Sequence, residues 1–266
     1  MEIMRKIFSV LLLFVLILNV AGCQPKNDKP TDNGTAQSEV NEATIEENIN
    51  EDEEEDLPLK DKVICVDAGH GLNSYNKQEP IAPNSSQTKI AFASGTRGKN
   101  QTEEELNLSV ALKLETELKA LGASVHMTRT THESDMTNID RAEFANKLNA
   151  DVSVKIHADG IENSSAHGVS MLVPSNQYIN NQELCNESRK IGEIILAEVV
   201  KTTGASNRGI VTRSDLTGFN WTQVPIVLLE MGFMTNPEED AKMETEEYQQ
   251  KIVDGIVNGL LLYFEP

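Results

Sequence analysis

Short apolar runs separated by helical stretches constrain this chain more than any other feature. Residues 62–67, 123–128, 151–157, 168–173 and 225–230 each hold a few consecutive apolar side chains bounded by Gly, Pro or polar turn residues. Such runs read as strands covered on both faces. Between them lie helical patterns. Thr102 and Glu105 make a capping-box pair; Leu108, Ala111, Leu112, Leu118 and Leu121 follow at helical spacing, and Gly122 stops the helix. Further helices are expected over 137–148 and 179–202, and one from the Asn236 cap with Pro237 at its first position through to Phe264. Residues 68–101 read as a loop, and Ile210–Val211 as a short strand. Strands and helices in alternation imply a single α/β domain with a mostly parallel central sheet flanked by helices, spanning residues 61–266.

The chain before that domain is of another kind. Arg5 and Lys6 precede an apolar run over 7–20, then Ala21, Gly22 and Cys23. Residues 1–22 read as a signal peptide, too short in its apolar part to span a bilayer comfortably. Val20-Ala21-Gly22-Cys23 resembles the bacterial lipobox. The resemblance implies lipid attachment at Cys23 and a protein exported and anchored to the outside of the cell membrane. From 24 to 60 there are twelve acidic residues against three lysines and no aromatic residue. That stretch cannot bury enough apolar surface to order itself, so residues 23–60 read as a lipidated Cys and a disordered acidic linker. The formal net charge of −19 disfavours nucleic acid as a partner. Cys65 and Cys185 lack metal-ligand spacing and read as buried thiols, although export would permit a disulfide between them.

In open α/β sheets, sites gather beyond the carboxyl ends of the strands. There this sequence places Asp67-Ala68-Gly69-His70-Gly71, Ile156-His157-Ala158-Asp159 and Leu229-Glu230-Met231. The helix starting at Thr102 brings Glu103, Glu104 and Glu105 to the same rim. Two histidines and one carboxylate with an open fourth position form a catalytic zinc set, and a further carboxylate can take a proton from the attacking water. Taken singly, each residue has a plain structural explanation. Glu230 is the hardest to explain so, because an ionised carboxylate directly after four apolar strand residues is costly without a partner or a task.

These segments resemble the zinc-dependent N-acetylmuramoyl-L-alanine amidases of the amidase-3 class. Val66-Asp67-Ala68-Gly69-His70-Gly71 is similar to that family's opening metal motif, and Glu103-Glu104-Glu105-Leu106-Asn107-Leu108 to its Glu-x-x-x-Asn-Leu helix start. Thr128-Arg129, Arg141 and Ala145-Asn146 match its middle section, Ile156-His157-Ala158 its second histidine motif, and residues 229–236 its closing Glu-x-Gly-Phe motif. The resemblance implies His70, Glu103 and His157 as zinc ligands, Glu230 as catalytic base, and peptidoglycan as substrate. The bond cut is then the amide between N-acetylmuramic acid and L-alanine. Ala68 stands where Pro is usual, Lys155 where Ser is usual, and Asp159 where Asn is usual. Lys155 shares a strand face with His157 and either holds an anionic substrate or repels the metal. The long loop before Glu103 reads as a lid or a specificity wall. Arg129 and Arg141 read equally as substrate grips or structural ion pairs, and Asp67 as the group that orients a ligand histidine. His126 reads as structural, His132 and His167 as loop residues without visible partners, and Phe219 and Trp221 as groove or packing residues. The competing readings are a non-catalytic or partner-activated wall-binding lipoprotein on the same fold, and a zinc hydrolase cutting another wall bond.

Overall fold

The computed structural model describes residues 57–72 and 76–265. The signal peptide, Cys23 and the linker up to residue 56 lie outside the described residues. The elements, in order, are β1 (Val63–Ala68), β2 (Gln78–Pro80), β3 (Thr88–Ile90), α1 (Glu103–Ala120), β4 (Ser124–Met127), α2 (Asn138–Leu148), β5 (Val152–Asp159) and β6 (Val169–Pro174). Then come α3 (Asn176–Ile179), α4 (Gln182–Thr203), β7 (Asn207–Arg213), α5 (Thr217–Asn220), β8 (Ile226–Phe233), α6 (Pro237–Met243) and α7 (Glu246–Phe264).

Six strands form one sheet in the order β4-β1-β5-β8-β6-β7, while β2 and β3 pair separately as a small antiparallel ribbon. The large sheet is parallel except at β6, which runs antiparallel to β8. The expectation of a mostly parallel, helix-flanked sheet holds. Its two faces are covered by different helices. Ile64, Val66, Val154, Ile156, Val227 and Leu229 meet residues of α1, α4 and α7 in the main core. On the other face, Cys65 packs with Ala145 beside α2, and Leu172, Ile226 and Leu228 pack with Phe219 of α5. Strand side chains alternate between faces, which is why the runs are apolar almost throughout. Helices α4 and α7 pack unusually close. A Cβ on Gly255 would lie 2.5 Å from the Val199 Cα, and one on Gly259 2.6 Å from the Ile195 Cα.

The structure corrects several local expectations. The loop of residues 68–101 contains the β2–β3 ribbon. The last helix is broken before Thr245, whose hydroxyl accepts from the Tyr248 N–H and caps a new helix. The helix expected from 179 begins at Gln182, where the Asn181 side chain accepts from the Leu184 N–H. Packed chain begins before the boundary read at Asp61, because Leu59 is fully buried and its N–H donates to the Leu121 carbonyl. Cys65 and Cys185 are buried, free thiols.

Candidate metal centre

The carboxyl ends of β1, β5 and β8 and the first turn of α1 meet at one edge of the sheet. His70 follows β1 with φ +58°, a left-handed conformation that non-glycine residues adopt only when held there. What holds it is visible: Arg141 Nη2 donates to the His70 carbonyl at 2.6 Å. The His70 Nδ1 donates to the Ala93 carbonyl at 2.7 Å. A carbonyl can only accept, so the proton sits on Nδ1 and the Nε2 lone pair is free. That Nε2 lies 3.1 Å from Glu103 Oε1.

Glu103 is the first residue of α1, whose start is fixed by the capping box between Thr102 and Glu105. Its Oε1 accepts from Asn107 Nδ2 at 3.2 Å and from the Ala158 N–H at 3.2 Å; its Oε2 accepts from the Thr96 N–H at 2.9 Å. His157, on β5, brings its Nδ1 within 3.0 Å of the same Oε1. One ligand atom from each of His70, Glu103 and His157 lies within 4.8 Å of the others. The donor chemistry fits zinc: two imidazole nitrogens, one with its tautomer set by a backbone carbonyl, and one carboxylate oxygen.

The electrostatics agree with a site for a cation. Burial disfavours the Glu103 carboxylate, but hydrogen bonds and charge from His157 and His70 outweigh it and hold the carboxyl far below its usual range. Burial also pulls the His157 imidazole down, to about 4, against its hydrogen bond to Glu103. For His70, burial is outweighed by Glu103, and its pKa rises. The two rings move in opposite directions because burial, with the charges of His70 and Lys155, prevails at His157, whereas Glu103 outweighs burial at His70. Both results leave Glu103 ionised between the two imidazoles.

Glu230 stands beside His157 in the register of β5 and β8, so both side chains leave the same face of the sheet. Its Oε2 is buried and accepts no hydrogen bond from any described residue. Burial, then the charges of Glu103 and Asp159, push its carboxyl well above the usual range. A buried carboxylate oxygen left unpartnered is expensive, so plain packing does not account for Glu230.

The surrounding charges resolve what sequence left open. Asp67 does not orient a histidine. It accepts from Arg141 Nη1 at 2.5 Å and Thr128 Oγ1 at 2.5 Å, and pairs with the Lys155 ammonium. Lys155 therefore lies against a carboxylate instead of facing the cation site as a bare charge. Arg141 and Arg129 are structural: Arg129 donates to the carbonyls of Ala68, Gly69, Glu104 and Thr131. Asp159 accepts from the Gly160 N–H. His126 meets the Ser124 hydroxyl, and His132 and His167 are not part of the cluster. Trp221 donates to the Pro80 carbonyl, and Phe219 is fully buried. The 68–101 segment contributes Ile90 and Phe92 to the lining of a cavity of about 180 Å³ shared with His70 and His157. Sequence reasoning missed Ala93, Gly95 and Thr96. Two of these act through backbone atoms, and Gly95 acts by lacking a Cβ, which would sit 2.7 Å from Glu103 Oε2.

Comparison with known proteins bears on this arrangement. The family model described as N-acetylmuramoyl-L-alanine amidase matches residues 64–261. The uncharacterized protein YqiI of Bacillus subtilis is 29% identical over 208 residues, covering 78% of this chain and 87% of YqiI. The probable cell wall amidase LytH of Staphylococcus aureus is 28% identical over 207 residues, and the match spans 78% of this chain but only 60% of LytH. The crystal structure of the N-acetylmuramyl-L-alanine amidase Ami1 from Mycobacterium smegmatis superposes with a TM-score of 0.71 at 27% identity, covering 77% of this chain and 98% of that one. With the family match spanning most of the described fold and the strand-edge cluster at its centre, the chain belongs to the amidase-3 family of N-acetylmuramoyl-L-alanine amidases.

Proposed function

We propose that this protein hydrolyses the amide between N-acetylmuramic acid and L-alanine of peptidoglycan in a zinc-dependent reaction. The observation that carries the reading is the convergence of His70, Glu103 and His157 beside a buried Glu230 carboxylate oxygen that has no hydrogen-bond partner among the described residues. His70 through Nε2, His157 through Nδ1 and Glu103 through Oε1 would hold the ion. Zinc bound there supplies a Lewis acid for the scissile carbonyl and a water acidic enough to ionise near neutral pH. Glu230 accepts the proton of the attacking water and delivers it to the leaving alanine nitrogen. Burial favours its protonated form, which suits a group that must hold the proton between the two steps. Arg141 and Arg129 keep the His70 loop in place through its backbone carbonyls. Under the same proposal, Cys23 carries a lipid that tethers the exported protein to the outer face of the membrane; loss of fatty-acid labelling in Cys23→Ser tests that part.

The test incubates the full-length protein with purified muropeptides, with zinc or with a chelator, and identifies products by mass spectrometry. The expected products carry a free alanine amino terminus and a free lactyl carboxylate. Chelation should abolish them, and Glu230→Ala should slow their release by about 10²–10⁴-fold. Cleavage at another bond would overturn the substrate, and no cleavage by the zinc-loaded protein would favour a wall-binding role.

A further inference from the structure

The cavity next to the candidate metal centre holds charge that the hydrolytic step does not use. His70 and His157 line it together with Lys155, Arg141 and Thr217. The Lys155 side chain is only 11% exposed, and Asp67 is its one ion-pair partner among the described residues. Asp67 faces two cations, Lys155 and Arg141, so the three groups together carry one excess positive charge. Arg141 is fully engaged, donating to Asp67 and to the carbonyls of Ala68, His70 and Met136. Lys155 is not: an ammonium has three N–H donors, and a carboxylate on one side does not use them all.

A second buried group sits close by. Thr217 is 4% exposed, and its Oγ1 is buried without a hydrogen-bond partner among the described residues. The adjoining Gly218 lies so near that a Cβ there would be 3.9 Å from Lys155 Nζ. A buried cation with spare donors, a buried hydroxyl with none engaged and a void lined by both form a receptor for an anion that accepts hydrogen bonds.

The spacing suits an anion carried on the stem peptide. Lys155 and His157 are two residues apart on β5, or about 6.6 Å along the strand. In an extended peptide, a carboxyl on the residue after alanine lies about 7 Å from the carbonyl carbon acylating that alanine. In peptidoglycan that second residue is a glutamate linked through its side chain, with its α-carboxyl either free or amidated. We propose that the cavity receives this α-carboxylate, with Lys155 and Thr217 as specificity-determining contacts that favour the free acid over the amide. The proposal rests on the muramoyl-alanine amidase reading above and names the stem-peptide class that reading leaves open. It also gives the lysine at position 155 a task that the serine usual in the family pattern would not perform.

Two muramoyl tripeptides that differ only in that carboxyl, free or amidated, test it. Full-length zinc-loaded protein gives KM and kcat for each. Calorimetry on Glu230→Gln gives Kd for each without turnover. The free acid should be preferred by about tenfold or more in KM and in Kd. Lys155→Ser should bring both ratios close to one, and Lys155→Arg should restore them. Because each ratio is taken within one protein, general loss of stability does not imitate the effect. Equal binding of the two peptides by the parent, or a ratio unchanged in Lys155→Ser, would overturn the proposal. If the parent cuts neither peptide, the amidase reading falls, while the calorimetric ratio still decides whether the cavity reads the carboxylate.

Discussion

Gly69→Ala should disable the candidate metal centre through a single methyl group. A Cβ on Gly69 would stand 2.3 Å from both Cε1 and Nε2 of His157, against an ordinary contact of 3.4 Å or more. The shortfall is about 1 Å, well inside the repulsive wall. The glycine cannot retreat, because its N–H donates to the Ile156 carbonyl at 3.0 Å and its own carbonyl accepts from Arg129 at 2.9 Å. The His157 ring must therefore move, away from the position that Glu103 shares with it. A misplacement of about 1 Å costs roughly 10²-fold in rate, or about 2.7 kcal/mol of transition-state stabilisation. Zinc affinity, measured by competition with a chromophoric chelator, should fall by about 10–100-fold, as for other disturbances of a ligand's support. Gly204→Ala is the control. That glycine has φ +69° and nothing within 4 Å of the added Cβ, so it should lose about 1–2 kcal/mol of stability and leave zinc affinity alone. If Gly69→Ala binds zinc and cuts muropeptides within about threefold of the parent, the steric argument for His157 as a ligand is wrong.

Two further outcomes follow from the Asp67 cluster. Arg141→Met removes the guanidinium that serves Asp67 and the carbonyls of Ala68 and His70, and should cost about 3–5 kcal/mol in urea denaturation; a loss under about 1 kcal/mol would show that the cluster does not hold the loop. Burial alone would raise the Asp67 pKa, but Lys155 and Arg141 outweigh it and hold the carboxyl well below its ordinary 3.8. Its contribution is therefore complete above that value and lost as pH falls through the lower folded pKa. Asp67→Asn should show a shallower loss of stability below about pH 4 than the parent, and parallel curves would contradict the sign.

Much of this was legible because each candidate ligand lies where a recognisable strand or helix begins or ends. His70 and His157 adjoin apolar runs, Glu103 opens a helix marked by its capping box, and Glu230 breaks a fourfold apolar sequence. What escaped was carried by groups that sequence does not advertise. The Ala93 carbonyl that fixes the His70 tautomer is present at every residue of a loop, so no side chain points to it. The partner of Lys155 could not be read either, since strand periodicity gave its face but not its neighbour across the sheet; Asp67 is that neighbour through the Asp67–Lys155 pairing of β1 and β5. The β2–β3 ribbon was hidden by its shortness and by prolines and serines that read as loop. The break at Thr245 was hidden by the unbroken amphipathic pattern on either side of it.

The position of β8 has a consequence for how the molecule comes into being. Among the last elements to be synthesised, it lies between β5 and β6 in the sheet. Until it arrives, β6 and β7 have no hydrogen-bonded route to β4, β1 and β5. The nascent chain thus holds two half-sheets that only residues 226–233 can join, and Glu230 enters with the joining strand. Contacts of such long sequence separation form late and slowly. Assembly order thus delivers Glu230 and the continuity of the sheet in one step.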